Sequence, residues 1–187
     1  MLRLLVATIA LASLPAAPAI AADTVPVAVD AAPEGPSHVV SILTSPVHFV
    51  FPIVELQGEL RVTPRFAIAA LVGAGSVKVE DSSDRVSLWE AGVQFIFDVV
   101  GDFDHGMQLG VETLYVGLSG DDGGDFSGLS GQGLSVSPFV GYKIIADFGL
   151  TFEAQLGPAF VVARDDDSGD TGSTITANLN LNLGWSF

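Results

Sequence analysis

The sequence has no cysteine and only 7 lysine and arginine residues among its 187 residues. Without cysteine the chain can form no disulfide, no thiolate metal site and no thiol nucleophile. Against the 7 bases stand 22 acidic residues, which give a formal net charge of -15. Proteins that bind nucleic acid need a basic face that neutralises phosphates. The composition therefore argues against a nucleic-acid-binding role.

Long apolar runs are also missing beyond the N-terminus. Hydrophobic residues make up 49% of the chain, and the mean hydropathy of +0.51 is high for a soluble domain. No later stretch reaches the roughly 18 consecutive apolar residues that a membrane helix needs. The apolar residues must therefore alternate with polar ones, and 21 glycines accompany them. This combination indicates β structure in or near a membrane.

The first 21 residues have the features of an export signal. Arg3 supplies the charged start, residues 4–14 form the apolar middle, and the Ala-Ile-Ala of residues 19–21 precedes a predicted cleavage site. A membrane anchor is the alternative, but the apolar run is too short to span. Residues 22–36 are rich in proline and alanine without periodicity, so we expect a disordered periplasmic tether. The barrel domain is predicted over residues 37–187.

Apolar and polar residues alternate with period 2 from residue 38 to the end of the chain. In residues 174–187, Leu, Trp and Phe alternate with Thr, Asn and Ser. Such alternation is typical of strands with one apolar and one polar face. We predict an even number of strands, because both chain ends then lie on one side. The eight predicted strands cover residues 38–45, 52–62, 66–79, 86–99, 106–118, 134–145, 149–163 and 174–187.

The connections between these strands alternate in length. Short turns fall at residues 63–65, 101–105 and 146–148, and longer loops rich in Asp, Gly and Ser fall at 80–85, 119–133 and 164–173. Short periplasmic turns and long extracellular loops characterise transmembrane β-barrels. A sheet crosses hydrocarbon only as a closed cylinder, because every backbone N–H and C=O must be paired internally. The sequence thus predicts an all-β, eight-stranded antiparallel up-and-down transmembrane β-barrel.

The chain ends in Leu183-Gly184-Trp185-Ser186-Phe187. With the export signal and the eight amphipathic strands, this ending resembles the small outer-membrane barrels of Gram-negative bacteria, the OmpA/OmpX type. Residues 43–59 are loosely similar to the first hairpin of many members of that family. The resemblance implies a barrel-assembly signal at Phe187 and Trp185, read by the barrel-assembly machinery. It also implies outer-membrane lipid and lipopolysaccharide as partners, but no activity.

A soluble barrel with the two faces reversed, as in lipocalin-like proteins, is the alternative fold. The last predicted strand argues against it, because its polar face carries uncharged residues where a soluble surface carries Lys and Glu. Aromatic residues of the apolar face are also expected at two levels, like the girdles at the two membrane interfaces. The outer level is Trp89, Tyr115 and Phe160, and the inner level is Phe97, Tyr142, Phe152 and Trp185. We expect bulges or strand ends at Pro138 and Pro158.

The polar faces of the predicted strands carry charge into the lumen. Replacing Lys143 or Arg61 is expected to leave Glu153 or Glu59 unpaired. A buried carboxylate without a partner takes up a proton or draws in water and a cation. We expect the luminal acids and bases to form a network of ion pairs, and the alternative is that water solvates the excess acids. The predicted lumen charges are Glu55, Glu59, Glu90, Asp98, Glu112 and Glu153 with Arg61, Lys78 and Lys143.

Catalytic residues are scarce. None of the three histidines, His38, His48 and His105, is expected beside both a serine and an acid, as a hydrolase would require. The Asp-rich segments 121–125 and 165–170 could offer oxygen ligands to Ca²⁺, but neither matches an EF-hand loop, so we expect solvated loops. We therefore expect no metal, no cofactor and no enzymatic activity.

The sequence predicts a monomeric barrel with a structural or surface-display role. A narrow, porin-like pore for small cations is the alternative. An eight-stranded lumen is just wide enough for side chains to fill, and this argues against free conduction.

Overall fold

The computed structural model describes residues 37–47, 53–78, 85–120, 130–166 and 168–187. The chain divides into units 1–33 and 34–187, and all described residues belong to the second. The predicted signal peptide, the predicted tether and His48 lie outside the described residues, as does the side chain of Lys78.

Eight antiparallel strands form one sheet that closes on itself. Each strand pairs with the next in the sequence, and the last pairs with the first. Every strand end lies within four residues of its predicted position, which confirms the all-β, up-and-down barrel. The strands are β1 Val40–Thr44, β2 Ile53–Thr63, β3 Phe66–Lys78, β4 Arg85–Gly101, β5 His105–Gly120, β6 Ser130–Ile145, β7 Leu150–Asp165 and β8 Thr171–Ser186.

The barrel closes through its shortest strand, β1, which has 5 residues. Residues 41–44 pair with residues 183–186 of β8. Beyond this ladder, the Phe187 N–H donates to Val40 O at 2.8 Å, and the Val39 N–H donates to Phe187 O at 2.6 Å. The start of the barrel and its C-terminus are therefore neighbours at one end, as the even strand count predicts.

The short turns of the barrel all lie at the end that holds the start of β1 and the C-terminal residue, which we call the turn end. They connect β2 to β3, β4 to β5 and β6 to β7, and the longer connections lie at the opposite loop end. Gly149, in the β6–β7 turn, has a φ of 102°, a conformation that side chains with a Cβ rarely adopt. The two register shifts of the sheet, at residues 61–63 and 98–100, also lie next to short turns.

Pro138 and Pro158 cause neither bulges nor strand ends, so that expectation is wrong. Both lie inside their strands and face outward, opposite each other in the β6–β7 register. The ladder stops after Val136↔Phe160 and resumes at Val140↔Leu156 in the same register, so no residue is inserted. Because proline has no N–H, two facing prolines interrupt the hydrogen bonding without shifting the strands.

The polarity of the barrel is inverted relative to a soluble protein. The exposed side chains of the wall are large and apolar, while glutamine, glutamate and asparagine side chains are buried inside. The buried apolar residues are few and include Leu71, Ile96 and Phe139. The described part of the chain contains no helix that is long and apolar enough to cross a membrane.

Candidate functional site

The interior of the barrel is built from the polar faces of the strands. The six acids predicted in the lumen are all at most 8% exposed, and Lys143 is fully buried among them. Arg61 is only partly buried. The buried acids are Glu55, Glu59, Glu90, Asp98, Glu112 and Glu153.

The middle of the lumen is crossed by hydrogen bonds to Glu112. Gln94 Nε2 donates to Glu112 Oε2 at 2.7 Å, and the side-chain amides of Asn178 and Asn180 donate to the same carboxylate at 3.2 Å each. The asparagines belong to the alternating polar face of β8, whereas Gln94 and Glu112 lie opposite each other on β4 and β5. Strands from both sides of the barrel are therefore linked across its interior.

A second layer forms around Glu153, closer to the turn end. Its Oε1 accepts hydrogen bonds from Gln155 Nε2 and Asn182 Nδ2, both at 2.9 Å. The Gln94 Nε2 also donates to Gln155 Oε1 at 3.2 Å, so this layer is joined to the one above. Buried carboxylates supported by several amide donors make a rigid polar core.

Lys143 forms an ion pair with Glu59 at 2.6 Å, and both side chains are completely buried. Its Nζ also lies 3.8 Å from the centroid of the Phe103 ring, within the range of a cation–π interaction. Lys143 faces Glu153 in the β6–β7 register, yet its ion pair is with Glu59 on β2. The long lysine side chain reaches across the lumen instead of along the wall, and Glu153 is bonded through Oε1 alone, by the amides of Gln155 and Asn182.

The lumen holds more acidic than basic side chains. Glu59 Oε2 and Glu153 Oε2 are buried and find no hydrogen-bond donor among the described residues. Those residues include no group of three or more His, Asp or Glu side chains arranged to hold a metal ion.

The β4–β5 turn covers the mouth of the lumen at the turn end. Phe103 is 1% exposed and points onto Lys143. Its N–H donates to Pro64 O in the neighbouring turn at 3.3 Å, and the Ile145 N–H donates to Asp104 O at 2.7 Å. Sequence reasoning missed Phe103, because no periodicity extends into a turn and shows which way its side chain points.

Asp104, next to Phe103, binds the chain segment that enters β1. Its carboxylate accepts hydrogen bonds from the Ser37 N–H at 2.6 Å, the Ser37 hydroxyl at 2.8 Å and the His38 N–H at 3.2 Å. Burial by itself raises the pKa of Asp104, but these hydrogen bonds and the nearby His38 ring outweigh it and lower the pKa overall. Hydrogen bonds thus connect the β4–β5 turn to the segment that enters β1.

Ser37, His38 and Asp104 form a serine–histidine–acid group that the sequence did not predict. His38 Nδ1 lies 3.0 Å from Ser37 Oγ and 3.4 Å from Asp104 Oδ2. In a catalytic relay the two ring nitrogens contact the nucleophile and the acid separately. Here one nitrogen contacts both groups, and the serine hydroxyl binds the carboxylate directly, so the arrangement fastens the chain rather than activating a nucleophile. His105 lies at the start of β5 and is exposed.

The predicted girdle aromatics face outward at two levels. Trp89 and Tyr115 pack with ring centroids 5.3 Å apart toward the loop end, and Trp185 packs with Phe148 at 5.8 Å near the turn end. Tyr142 is likewise half-exposed on the outer wall, and so are Phe97, Phe152 and Phe160. The side chain of the terminal Phe187 is 64% exposed beside this lower level.

Comparison of the chain with known proteins gives no match: no family model, no curated protein and no solved structure is similar to it.

Proposed function

We propose that the chain is an integral outer-membrane β-barrel with a structural or surface-display role and no enzymatic activity. The observation that carries this proposal is the inverted polarity of the barrel. Val54, Val72 and Phe95, on successive strands, are each more than half exposed, while Gln57, Gln94 and Glu153 are at most 1% exposed.

Water is a poor solvent for this exterior. A soluble monomer exposes contiguous apolar patches of at most a few hundred Å², whereas here the apolar face continues around all the strands. Hydrocarbon suits this exterior, because it solvates the apolar side chains and because the closed ladder pairs the backbone groups internally except at Pro138 and Pro158. The aromatic side chains at two levels match the two interfaces of a bilayer.

The proposed orientation puts the turn end in the periplasm. The short turns, the start of β1 and the C-terminal residue then lie on the periplasmic side, and the acidic β7–β8 connection, which includes Asp166 and Asp170, lies outside the cell. A small barrel that presents such connections outside the cell is suited to display, which supports the structural role.

Quenching of tryptophan by brominated lipids tests insertion. The chain has 2 tryptophans, and both are exposed on the outer wall at opposite levels. In bilayers whose acyl chains carry bromine near the headgroup, we expect strong quenching of both Trp89 and Trp185, measured separately in Trp185→Phe and Trp89→Phe variants. If brominated lipid leaves the tryptophan emission of both variants unchanged, the proposal is overturned.

A narrow cation-favouring pore is the second candidate, because the lumen holds more acids than bases. The hydrogen-bonded layers around Glu112 and Glu153 oppose it, as does Phe103 over the periplasmic mouth. Conductance in planar bilayers distinguishes the two functions. The structural role predicts no stable channel steps in the wild type or in the control Phe148→Ala, and cation-selective steps in the wild type would favour the pore.

A further inference from the structure

The turn-end part of the lumen concentrates the polar atoms that lack a partner among the described residues. Eight buried side-chain atoms of those residues have no hydrogen-bond partner, and seven of the eight belong to Glu59, Asp98, Gln108, Glu153 and Asn182. We infer that this layer binds one alkali cation, Na⁺ or K⁺, with Asp98 and Gln108 as its main ligands. The inference goes beyond the proposed function, because it concerns the interior of the barrel and not the surface that faces the membrane.

The register of the sheet places these side chains side by side around the lumen. Asp98 on β4 faces Gln108 on β5, and Glu153 on β7 faces Asn182 on β8. Lys143 lies between the two pairs, because β6 stands between β5 and β7, and it faces Glu153. The unpartnered atoms therefore belong to one layer of the interior and are not scattered along the barrel.

Asp98 and Gln108 are the least supported side chains of this layer. Asp98 is 1% exposed and Gln108 is 0% exposed, and none of their terminal oxygen or nitrogen atoms has a hydrogen-bond partner among the described residues. Gln108 Oε1 lies 3.4 Å from the position that a Cβ on Gly141 of β6 would take, so the amide extends over the neighbouring strand inside the lumen. A buried carboxylate without a donor or a counter-charge is costly. Asp98 and Gln108 therefore call for a ligand.

The charge balance of the layer favours a monovalent cation. Lys143 is already neutralised by Glu59 at 2.6 Å. Glu153 Oε1 accepts amide hydrogen bonds, whereas Asp98 accepts none from a described side chain. One carboxylate is thus left without support, and a single positive charge balances it. A Ca²⁺ site gathers more carboxylates around one point, and the described residues bring no three acids together in that way.

Oxygen atoms are the ligands that an alkali cation prefers in proteins. Asp98 offers two carboxylate oxygens and Gln108 offers its amide oxygen, while Glu153 Oε2 and Asn182 Oδ1 stand farther around the same layer. Phe103, which is 1% exposed, covers the layer at the turn end. Because the site is enclosed, we expect the cation to enter as the barrel folds and to stabilise the folded state.

The test measures the urea midpoint of the detergent-refolded barrel as Na⁺ or K⁺ replaces choline at constant total chloride. Constant ionic strength keeps the screening of other charges the same, and choline is too bulky to fit among these side chains. An ion that binds only the folded state lowers the unfolding equilibrium constant by about tenfold at a concentration about ten times its Kd. We expect such a stabilisation in the wild type.

Two variants locate the site. Asp98→Asn keeps the size of the side chain and removes its charge, so we expect it to lose the dependence on Na⁺ and K⁺. Gln108→Met removes the amide oxygen and leaves the charges in place, so we expect a weaker dependence. Glu112→Gln is the matched control, because it neutralises a buried luminal acid whose carboxylate already accepts hydrogen bonds from three side-chain amides. It should keep the dependence of the wild type.

Equal wild-type midpoints in choline, Na⁺ and K⁺ would show that water or a proton satisfies Asp98 and would overturn the inference. An unchanged cation dependence in Asp98→Asn or in Gln108→Met would overturn the assignment to these residues. Stabilisation by Ca²⁺ or Mg²⁺ alone would overturn the assignment to an alkali cation. These outcomes are separate from failure of the proposed function, because the refolded barrel has the same interior whether or not it belongs in the outer membrane.

Discussion

Lys143 is a buried lysine inside the barrel, and two neighbouring side chains stabilise its ammonium group. Glu59 neutralises the ammonium at 2.6 Å, and the Phe103 ring covers it on the side of the turn end. Removing one member of a buried pair leaves the other charge uncompensated, which costs more than the pair itself contributes.

We expect Lys143→Met to lower the free energy of unfolding by about 3 kcal/mol, because Glu59 is then buried without its partner. Urea titration of the barrel refolded in lipid measures the change. Arg65→Met, which removes an exposed arginine from a short turn, is the control and should have little effect. Equal unfolding midpoints for Lys143→Met and the wild type would show that water solvates Glu59 and that the pair is not a buried one.

Asp104 predicts how stability depends on pH at the turn end. Its pKa in the folded barrel lies below the ordinary 3.8, so the folded state favours the carboxylate. The resulting stabilisation is fully present above the unfolded pKa and is lost as the pH falls through the lower, folded pKa.

We expect Asp104→Asn to lower the urea midpoint at pH 7 and to lose less stability than the wild type on acidification below about pH 4. Midpoints measured from pH 7 to pH 3 check both expectations. Asp147→Asn in the exposed β6–β7 turn is the control. Parallel pH curves for the wild type and Asp104→Asn would contradict the proposed role of the Ser37 and His38 hydrogen bonds.

The alternation of polar and apolar residues was enough to identify the buried acids, because every second residue of a strand faces the same side. It could not identify the partner of Lys143, since a flexible side chain chooses among groups on several strands. It also missed Ser37, His38 and Asp104, because a turn and the segment that enters β1, far apart in sequence, meet only once the barrel has closed.

Among the elements, β6 and β7 are joined least regularly. Their ladder is interrupted at Pro138 and Pro158, midway between the two aromatic levels. In the proposed bilayer, hydrocarbon would offer no substitute hydrogen bonds at this level. The other ladders of these strands, with β5 and β8, continue past both prolines. The interruption is therefore confined to one seam of the wall.

We expect Pro158→Val to raise the free energy of unfolding by about 1 kcal/mol, because the new N–H adds a hydrogen bond to the seam. Hydrogen exchange should show increased protection of the neighbouring β6 and β7 amides. Pro64→Val, in the β2–β3 turn, is a control outside the ladder. Unchanged or faster exchange along the seam in Pro158→Val would show that the prolines are not what weakens it.

The last strand is expected to matter more for assembly than for stability. The Phe187 side chain is 64% exposed, while its backbone N–H and C=O bond to β1 and its approach. Phe187→Ser keeps those backbone bonds, so we expect an unchanged urea midpoint after refolding but a lower level of assembled barrel in cells. Phe148→Ser, which removes a 66% exposed phenylalanine from a turn, is the control. Equal assembled levels of Phe187→Ser and the wild type would count against an assembly signal.

Strand positions could be predicted from alternation, but their lengths depend on pairing. β6 begins at Ser130, four residues before the predicted start, in a Ser-Gly-Gln-Gly stretch without alternation. That stretch is extended because β5 and β7 pair with it on both sides. β1 stays short, as predicted, and its pairing with β8 is limited to the turn end.

At the scale of the whole barrel, the closed ring follows from the even number of strands and from the pairing of β1 with β8. Closure turns one alternating pattern into two surfaces, an apolar wall and a polar interior, and the account of function depends on that division. The filling of the interior and the cover over its mouth come from side chains and turns whose direction periodicity cannot give.

The central claim, that the barrel spans the outer membrane, is tested most directly by fractionating cells and running the outer-membrane fraction on gels with and without heating. Closed barrels in hydrocarbon keep every backbone group paired and resist detergent until boiled. We predict recovery in the outer-membrane fraction, with faster migration of the unheated sample. Recovery of the chain as a soluble periplasmic protein, with the same migration before and after heating, would contradict the account.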